Sequence, residues 1–295
     1  MRIDLHIHTR TGSDGNFSIE EVFREARQRK IDFISITDHD SLESQEKASA
    51  LAREYGIAYI TGVELNVAFP YNIAPDKASI QSKSISLDFL GYGYDVQNQA
   101  LNRKLKLMKE YREMRALQIL EKLNIEFDKE NIKRLTGEDI RNIEADVDGV
   151  FGRPHIARYL VKKGIVHSNQ EAFDKYLVKC DVPKYPLSLA EASEIVRNAG
   201  GRLILAHPND PNGTSLLSLT KNLDEQANII RGYMMEYIDG VECWHSRSNS
   251  ETTAHYLQFA RGCGLLMTGG SDCHQKPLLM GTLDIPDWVA AQFRD

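Results

Sequence analysis

A chain of 295 residues with 42% hydrophobic and 26% charged residues can bury a full core, as one large domain or as a domain with an insertion. Its formal net charge of −6 argues against a large nucleic-acid groove, which is usually basic, but leaves small anions and metal-held substrates open. The start, Met1-Arg2-Ile3-Asp4-Leu5-His6, lacks a signal-peptide pattern, and no apolar run approaches the roughly 18 residues of a membrane span. Cys180, Cys243, Cys263 and Cys273 form no CxxC pair, so a cytoplasmic protein with reduced thiols and no membrane partner is expected.

In chain order, Arg2 to Ile7 predicts a short strand, and Ser18-Ile19-Glu20-Glu21 is a capping box that opens a helix to Lys30. Phe33 to Thr37 is a β-branched, apolar strand. Ser41 opens a second helix carrying Ala48, Leu51, Ala52 and Tyr55, closed by Gly56. Ile57 to Val63 reads as a third strand, and the alternation implies a parallel sheet. Tyr71 to Ser86 reads as a polar loop and Leu87 to Tyr92 as a strand.

From about Gln97 to Pro186 the pattern is helical. Leu107, Tyr111, Met114, Leu117 and Leu120 recur at helical spacing and predict one buried face. Opposite them lie Arg103, Lys104, Lys106, Lys109, Arg112 and Arg115, read as a solvated face, with guidance of a nucleic acid as the alternative. Alternation resumes with the helix Leu189 to Asn198 and the strands Arg202 to Ala206 and Gly240 to Trp244. The helix Thr252 to Arg261 and the strand Leu265 to Thr268 follow. The expected organisation is an α/β barrel in two parts, 1–96 and 187–295, interrupted by a helical insertion, 97–186.

The ionisable residues gather at the ends of these strands. His6 and His8 are two apart on a strand, so both imidazoles share one face and can chelate a metal. The second strand runs into Thr37-Asp38-His39-Asp40, the third ends Gly62-Val63-Glu64, and Leu203 to Ala206 runs into His207-Pro208. Leu265 to Thr268 runs into Gly269-Gly270-Ser271-Asp272-Cys273-His274. A barrel brings such C-terminal ends together at its active face. Mixed nitrogen and carboxylate donors suit Mn²⁺, Zn²⁺ or Fe²⁺ and exceed what one ion can accept, so a bridging carboxylate is expected, with Glu64 the natural bridge. His245 follows another strand and either contacts substrate or packs on Trp244. His167 and His255 read as ordinary surface residues.

The motifs Asp4-Leu5-His6-Ile7-His8, Thr37-Asp38-His39-Asp40, Leu205-Ala206-His207-Pro208 and Gly270-Ser271-Asp272-Cys273-His274 resemble those of the polymerase and histidinol phosphatase (PHP) superfamily. Ser13-Asp14-Gly15 and Gly62-Val63-Glu64 also fall where that family places ligands. The resemblance implies a distorted (β/α)₇ barrel, two or three divalent ions per chain (Mn²⁺ first, Zn²⁺ or Fe²⁺ otherwise) and hydrolysis of phosphate esters. The ligands it implies are His6, His8, Asp14, His39, Glu64, His207, Asp272 and His274. Many relatives carry a His at the position of Asp88 in Asp88-Phe89-Leu90-Gly91; either Asp88 substitutes as an oxygen ligand or one site is differently populated.

The insertion and Phe151-Gly152-Arg153-Pro154-His155 resemble the branch acting on nucleoside 3′,5′-bisphosphates and on the 5′ ends of short nucleic acids. There Arg153 and His155 are expected to face substrate phosphate, with His39 and His155 taking part in catalysis. The implied chemistry is attack on phosphorus by hydroxide from a water acidified by the ions, with the charge on the phosphoryl oxygens stabilised by the ions and Arg153. A histidinol-phosphate phosphatase, a non-catalytic metal-binding barrel and an amidohydrolase are the competing readings.

Overall fold

The computed structural model describes residues 1–71, 83–145, 153–211, 214–276 and 278–293. Strand β1 (Ile3–Ile7) leads through a loop into helix α1 (Ile19–Gln28). The predicted capping box forms there: Ser18 Oγ accepts from the Glu21 amide at 3.2 Å, and Glu21 Oε2 accepts from the Ser18 amide at 2.7 Å. Next come β2 (Phe33–Ile36) and α2 (Gln45–Tyr55), which ends on Gly56 at φ 65°. Helix α2 begins after Ser44, not at Ser41. The Ser41 hydroxyl caps only a local turn at Glu43, and the buried Gln45 side chain ties the carbonyls of Ile36 and Gly62 at 3.0 and 2.8 Å.

The expected third strand divides. Ala58–Tyr59 (β3) pairs in parallel with β2, while Gly62 starts the ten-residue strand β4 (Gly62–Tyr71), antiparallel to β5 (Lys83–Tyr92). The expected loop from Tyr71 to Ser86 is therefore strand at both described ends, and 72–82 lies outside the described residues. Polar side chains in this stretch still leave the backbone able to pair across strands, which is what decides a strand.

The sheets are accordingly mixed. Strands β1, β2 and β3 form a parallel three-stranded sheet, and β4-β5-β6-β7-β8 a five-stranded one. In the larger sheet β4–β5 and β5–β6 are antiparallel, whereas β6 (Arg202–Leu205), β7 (Gly240–His245) and β8 (Leu266–Gly270) run parallel. Isolated bridges link Ile7 of β1 with Cys273, just past β8, and His39, just past β2, with Glu64 of β4. A core of Leu5, Phe33, Leu90, Tyr92 and Ile204 draws on strands of both sheets, and the Tyr92 hydroxyl donates to the Leu5 carbonyl at 2.7 Å.

Helix α3 (Gln99–Lys129) is followed by α4 (Gly137–Ala145), α5 (Arg153–Lys162) and α6 (Asn169–Ala172), which continues into a π turn. Ile119, Leu123, Phe127, Ile156, Leu160 and Tyr176 belong to a core built only from residues of this region. The remaining helices, α7 (Leu189–Asn198), α8 (Leu223–Tyr233), α9 (Ser250–Cys263) and α10 (Trp288–Ala291), complete the chain, with α7, α8 and α9 packing on the five-stranded sheet. No helix among the described residues is long and apolar enough to cross a membrane.

The buried face of α3 shares Leu120 with the predicted one and otherwise differs from it. Leu101, Leu105, Met108, Ala116, Ile119, Leu123 and Phe127 are buried, whereas Leu107, Met114 and Leu117 are 46, 56 and 44% exposed. Two arginines of the supposed solvated face are engaged in ion pairs. Arg115 is buried, pairing with Asp181 and donating to the Val182 carbonyl, and Arg112 pairs with the buried Asp40. The helix buries the longer apolar line, Leu101 to Phe127, and the two arginines that flank it find acids to pair with.

Candidate active site

Alternation along β1 sends Leu5 and Ile7 into apolar cores and leaves His6 and His8 on the other face, both fully buried. Strand β8 lies so close that a Cβ on Gly270 would sit 2.3 Å from the His6 backbone nitrogen. That approach needs glycine, and it delivers Asp272 and His274 to the same place. Asp272 (φ 52°), Asp40 (φ 50°) and His207 (φ 23°) all hold left-handed backbone, strain that surrounding contacts must maintain.

Glu64 is the hub. Its Oε2 lies 3.5, 3.3 and 3.0 Å from His6 Nε2, His8 Nε2 and His39 Nδ1, and its Oε1 is 3.0 Å from His207 Nε2. Asp272 Oδ1 approaches His6, His8 and His274 at 3.4, 3.2 and 3.3 Å, and Asp14 Oδ1 lies 3.4 Å from His274 and 3.9 Å from His39. Four donor groups result, each able to hold an ion: His8, Asp14, His39 and His274; His6, His8 and Glu64; Glu64, Asp88 and His207; and Asp210, His245 and Asp272. All nine residues singled out as ligands thus fall within one cluster.

The donors fit metal ions better than they fit one another. His6 Nε2 and His8 Nε2 face each other at 3.1 Å, and Glu64 Oε2 and His207 Nδ1 are buried without a hydrogen-bond partner. A cation among these lone pairs would satisfy them together, and the nitrogen–carboxylate mixture is that of Mn²⁺, Zn²⁺ or Fe²⁺ sites. In the metal-free chain the buried charges compensate one another instead. Burial alone would raise the Glu64, Asp14 and Asp272 carboxyls, yet the surrounding imidazoles hold all three well below the usual carboxylate range. Burial likewise favours neutral His207, but Glu64, Glu242 and Asp88 push it up to about 9. Asp88 is the exception among the acids: burial and the Glu64 charge raise it. It accepts from Asn66 Nδ2 at 2.5 Å and from the Thr214 hydroxyl.

A cavity of about 230 Å³ opens on this cluster. Asp14, His39 and Asp88 line part of it, and Arg112, Arg115, Arg153, His155 and Lys184 come from the helical region and its return segment. Arg153 and His155, separated in sequence from every ligand motif, therefore meet the cluster. Arg153 Nη1 is held 2.9 Å from Asp181 Oδ2. Lys184 is exposed at the cavity wall, where Arg112, Arg115 and Arg153 gather positive charge beside it, an arrangement that favours an anion. His245 lies within the cluster, in one donor group with Asp210 and Asp272. It is buried, 3.4 Å from Asp272 Oδ2 and beside the His6 and His207 rings, while Trp244 packs on Trp288. It does not line the cavity. His167 is exposed and His255 half-buried.

Several site residues escaped the sequence reading. Arg247 grips Asp210 with two hydrogen bonds, 2.8 and 2.6 Å, and reaches Asp272 Oδ2 at 2.5 Å, fixing the back of that carboxylate. Glu242 lies beneath His6 and His207. Asn66 and Arg112 anchor Asp88 and Asp40. None has a motif of its own, although the place of Glu242 between apolar residues of a buried strand was a signal that went unused, since an acid there needs a partner.

Fold and site together define the class: an α/β protein whose converging His, Asp and Glu side chains form groups able to hold metal ions. The chain belongs to the PHP domain family, whose model matches residues 4–262. It is 30% identical over 214 residues to a 5′-3′ exoribonuclease of Haemophilus influenzae, covering 70% of this chain and 69% of the relative. It is 28% identical over 279 residues to a 3′,5′-nucleoside bisphosphate phosphatase of Chromobacterium violaceum, covering 92 and 87%. Among solved structures, a protein described as a metal-dependent phosphoesterase from Bifidobacterium adolescentis superposes with a TM-score of 0.75 at 26% identity, covering 99% of this chain and 94% of its own.

Proposed function

We propose that this protein is a metal-dependent phosphoesterase that removes phosphate from a nucleotide, a 3′,5′-bisphosphate or the 5′ end of a short RNA or DNA. The carrying observation is the cavity whose wall Arg153, Lys184 and His155 share with Asp14, His39 and Asp88. A phosphate held there would meet these cationic side chains and the ions once the centre is loaded. The relatives named for a bisphosphate and for RNA support the nucleotide. In this reading the two bridged sheets form one distorted barrel, and residues 97–186 form a cap domain over its ligand-bearing face.

His6, His8, Asp14, His39, Glu64, Asp88, His207, Asp272 and His274 would hold two or three divalent ions, Mn²⁺ first. When bound, the ions supply Lewis-acid polarisation of phosphoryl oxygens and acidify coordinated water towards a pKa of about 7. The protein supplies the rest. Glu64 is shared between donor groups and so keeps them at fixed spacing. Arg153 offers a planar fork of N–H donors to a phosphate oxygen pair, and Lys184 a point charge. The cap walls limit water around the reacting group.

The test is phosphate release by the Mn²⁺-loaded protein across nucleoside bisphosphates, 5′-phosphorylated oligonucleotides, sugar phosphates and histidinol phosphate, beside an amide panel. Release from nucleotides first is the expected result. Amide cleavage without phosphate release would move the protein to the amidohydrolase reading.

A further inference from the structure

Glu242 lies on β7, fully buried, and both of its oxygens are engaged with different ligand residues. Oε1 is 3.0 Å from His6 Nδ1, and Oε2 accepts from the His207 backbone amide at 2.8 Å. We propose that Glu242 is a positioning residue of the metal centre: one carboxylate that sets the tautomer of His6 and at the same time holds the backbone of His207. This rests on the metal-centre reading above and adds to it a residue with no place among the ligands.

The chemistry of the contacts requires this division of labour. A carboxylate is acceptor-only, so the ring nitrogen facing it must carry the proton. Nδ1–H of His6 then donates to Glu242, and Nε2 keeps its lone pair towards His8 Nε2, Glu64 Oε2 and Asp272 Oδ1. The opposite tautomer would point N–H into the cluster and leave Nδ1 and the carboxylate with no proton between them. At the other oxygen, His207 carries φ 23°, a conformation a non-glycine residue holds only under constraint. The Oε2 contact fixes that amide and so aims the ring at Glu64, where Nε2 stands at 3.0 Å. His6 and His207 belong to different donor groups, which Glu64 joins from one side and Glu242 from the other.

The isosteric change Glu242→Gln separates positioning from packing. Glutamine matches the volume but offers one acceptor oxygen where two N–H groups ask for one each. Either the His207 amide loses its acceptor, or an NH₂ faces His6 Nδ1 and drives the proton to Nε2. Metal affinity, read by titration with Mn²⁺ and by elemental analysis at limiting metal, should fall about 10- to 100-fold. Glu242→Asp, which keeps both acceptors on a shorter arm, should recover part of that loss. A merely structural role would lower the melting temperature of the metal-free chain and leave the metal affinity of the folded protein unchanged. That outcome overturns the proposal, as does a Gln variant with wild-type affinity. Should the Gln variant not fold, ¹⁵N-histidine NMR of the Zn²⁺-loaded wild type decides: a proton on His6 Nδ1 supports the proposal, and Nδ1 as the ligating atom overturns it. A wild type that takes up no metal removes the metal-centre reading itself, and this inference with it.

Discussion

Arg153→Ala tests whether the cap reads the substrate. In the protein Arg153 pairs with Asp181 at 2.9 Å, and its guanidinium lies 5.7 Å from the centroid of the Phe173 ring. Both partners of the pair are partly exposed, so solvent screening limits its contribution to stability to at most about 1 kcal/mol. Asp181 also retains Arg115 as a partner. The variant should therefore fold, melt within a few degrees of wild type, and keep its full metal content. A charge-assisted hydrogen bond to phosphate is worth about 1.5–3 kcal/mol, which is roughly ten- to a hundredfold in kcat/KM. Phosphate release from a nucleoside 3′,5′-bisphosphate should fall by that factor. The fall should be smaller for p-nitrophenyl phosphate, which lacks the nucleoside and the second phosphate. Equal losses would assign Arg153 to the reacting phosphoryl group, and no loss on either substrate would refute a role for the cap in recognition.

Elemental analysis of the metal-replete protein should find two or three ions per chain, with activity lost on chelation. His6→Ala combined with His8→Ala should remove metal and activity together, and at most one ion in the wild type would sink the cluster. Asp88→His should shift preference from Mn²⁺ towards Zn²⁺, because imidazole is the softer donor; unchanged metal dependence in both Asp88→His and Asp88→Ala would place Asp88 outside the ligand set. In the helical region, the Asp139 carboxylate accepts from the Thr136 amide and hydroxyl and from the Tyr159 hydroxyl at 2.7, 2.8 and 2.7 Å, and pairs with Lys163. Burial opposes its charge, but Lys163 and these donors win and hold its pKa well below the usual value. Its contribution is thus present above the unfolded carboxyl pKa of about 4 and is lost as pH falls through the lower folded one. Asp139→Asn should cost about 1–3 kcal/mol near neutrality with metal content unchanged, and denaturant titrations should show the gap to wild type closing in acid.

The elements around the ligands were legible because each rests on a local rule. Ser18 and Glu21 are close enough in the chain to cap each other, and helix α7 runs from Leu189 to Asn198 as its pattern predicts. His6 and His8 share a face because side chains alternate along any strand. The resemblance then drew together strand ends that spacing alone leaves separate. What spacing could not supply is direction between distant segments. The antiparallel pairing of β5 with β4 and β6 depends on which edges were free, and the facing of α3 on which neighbours stand around it, Asp40 and Asp181 among them. In the sequence α3 carries more than one apolar line at helical spacing, through Leu107 and Met114 or through Leu105 and Met108, and either can face inward.

The same limit governs the site. The chain by itself determined which side chains are fit to bind metal, because imidazole and carboxylate chemistry belongs to the residue wherever it stands. Only the tertiary structure decided that Glu242, 236 positions from His6, sits against its ring, that Arg247 braces Asp272, and that Arg153 and Lys184 look onto His39. Contacts of that kind depend on distances of a few ångströms between elements remote in the chain. Such distances are fixed by packing and by the need to pair every buried charge, and no local pattern encodes them.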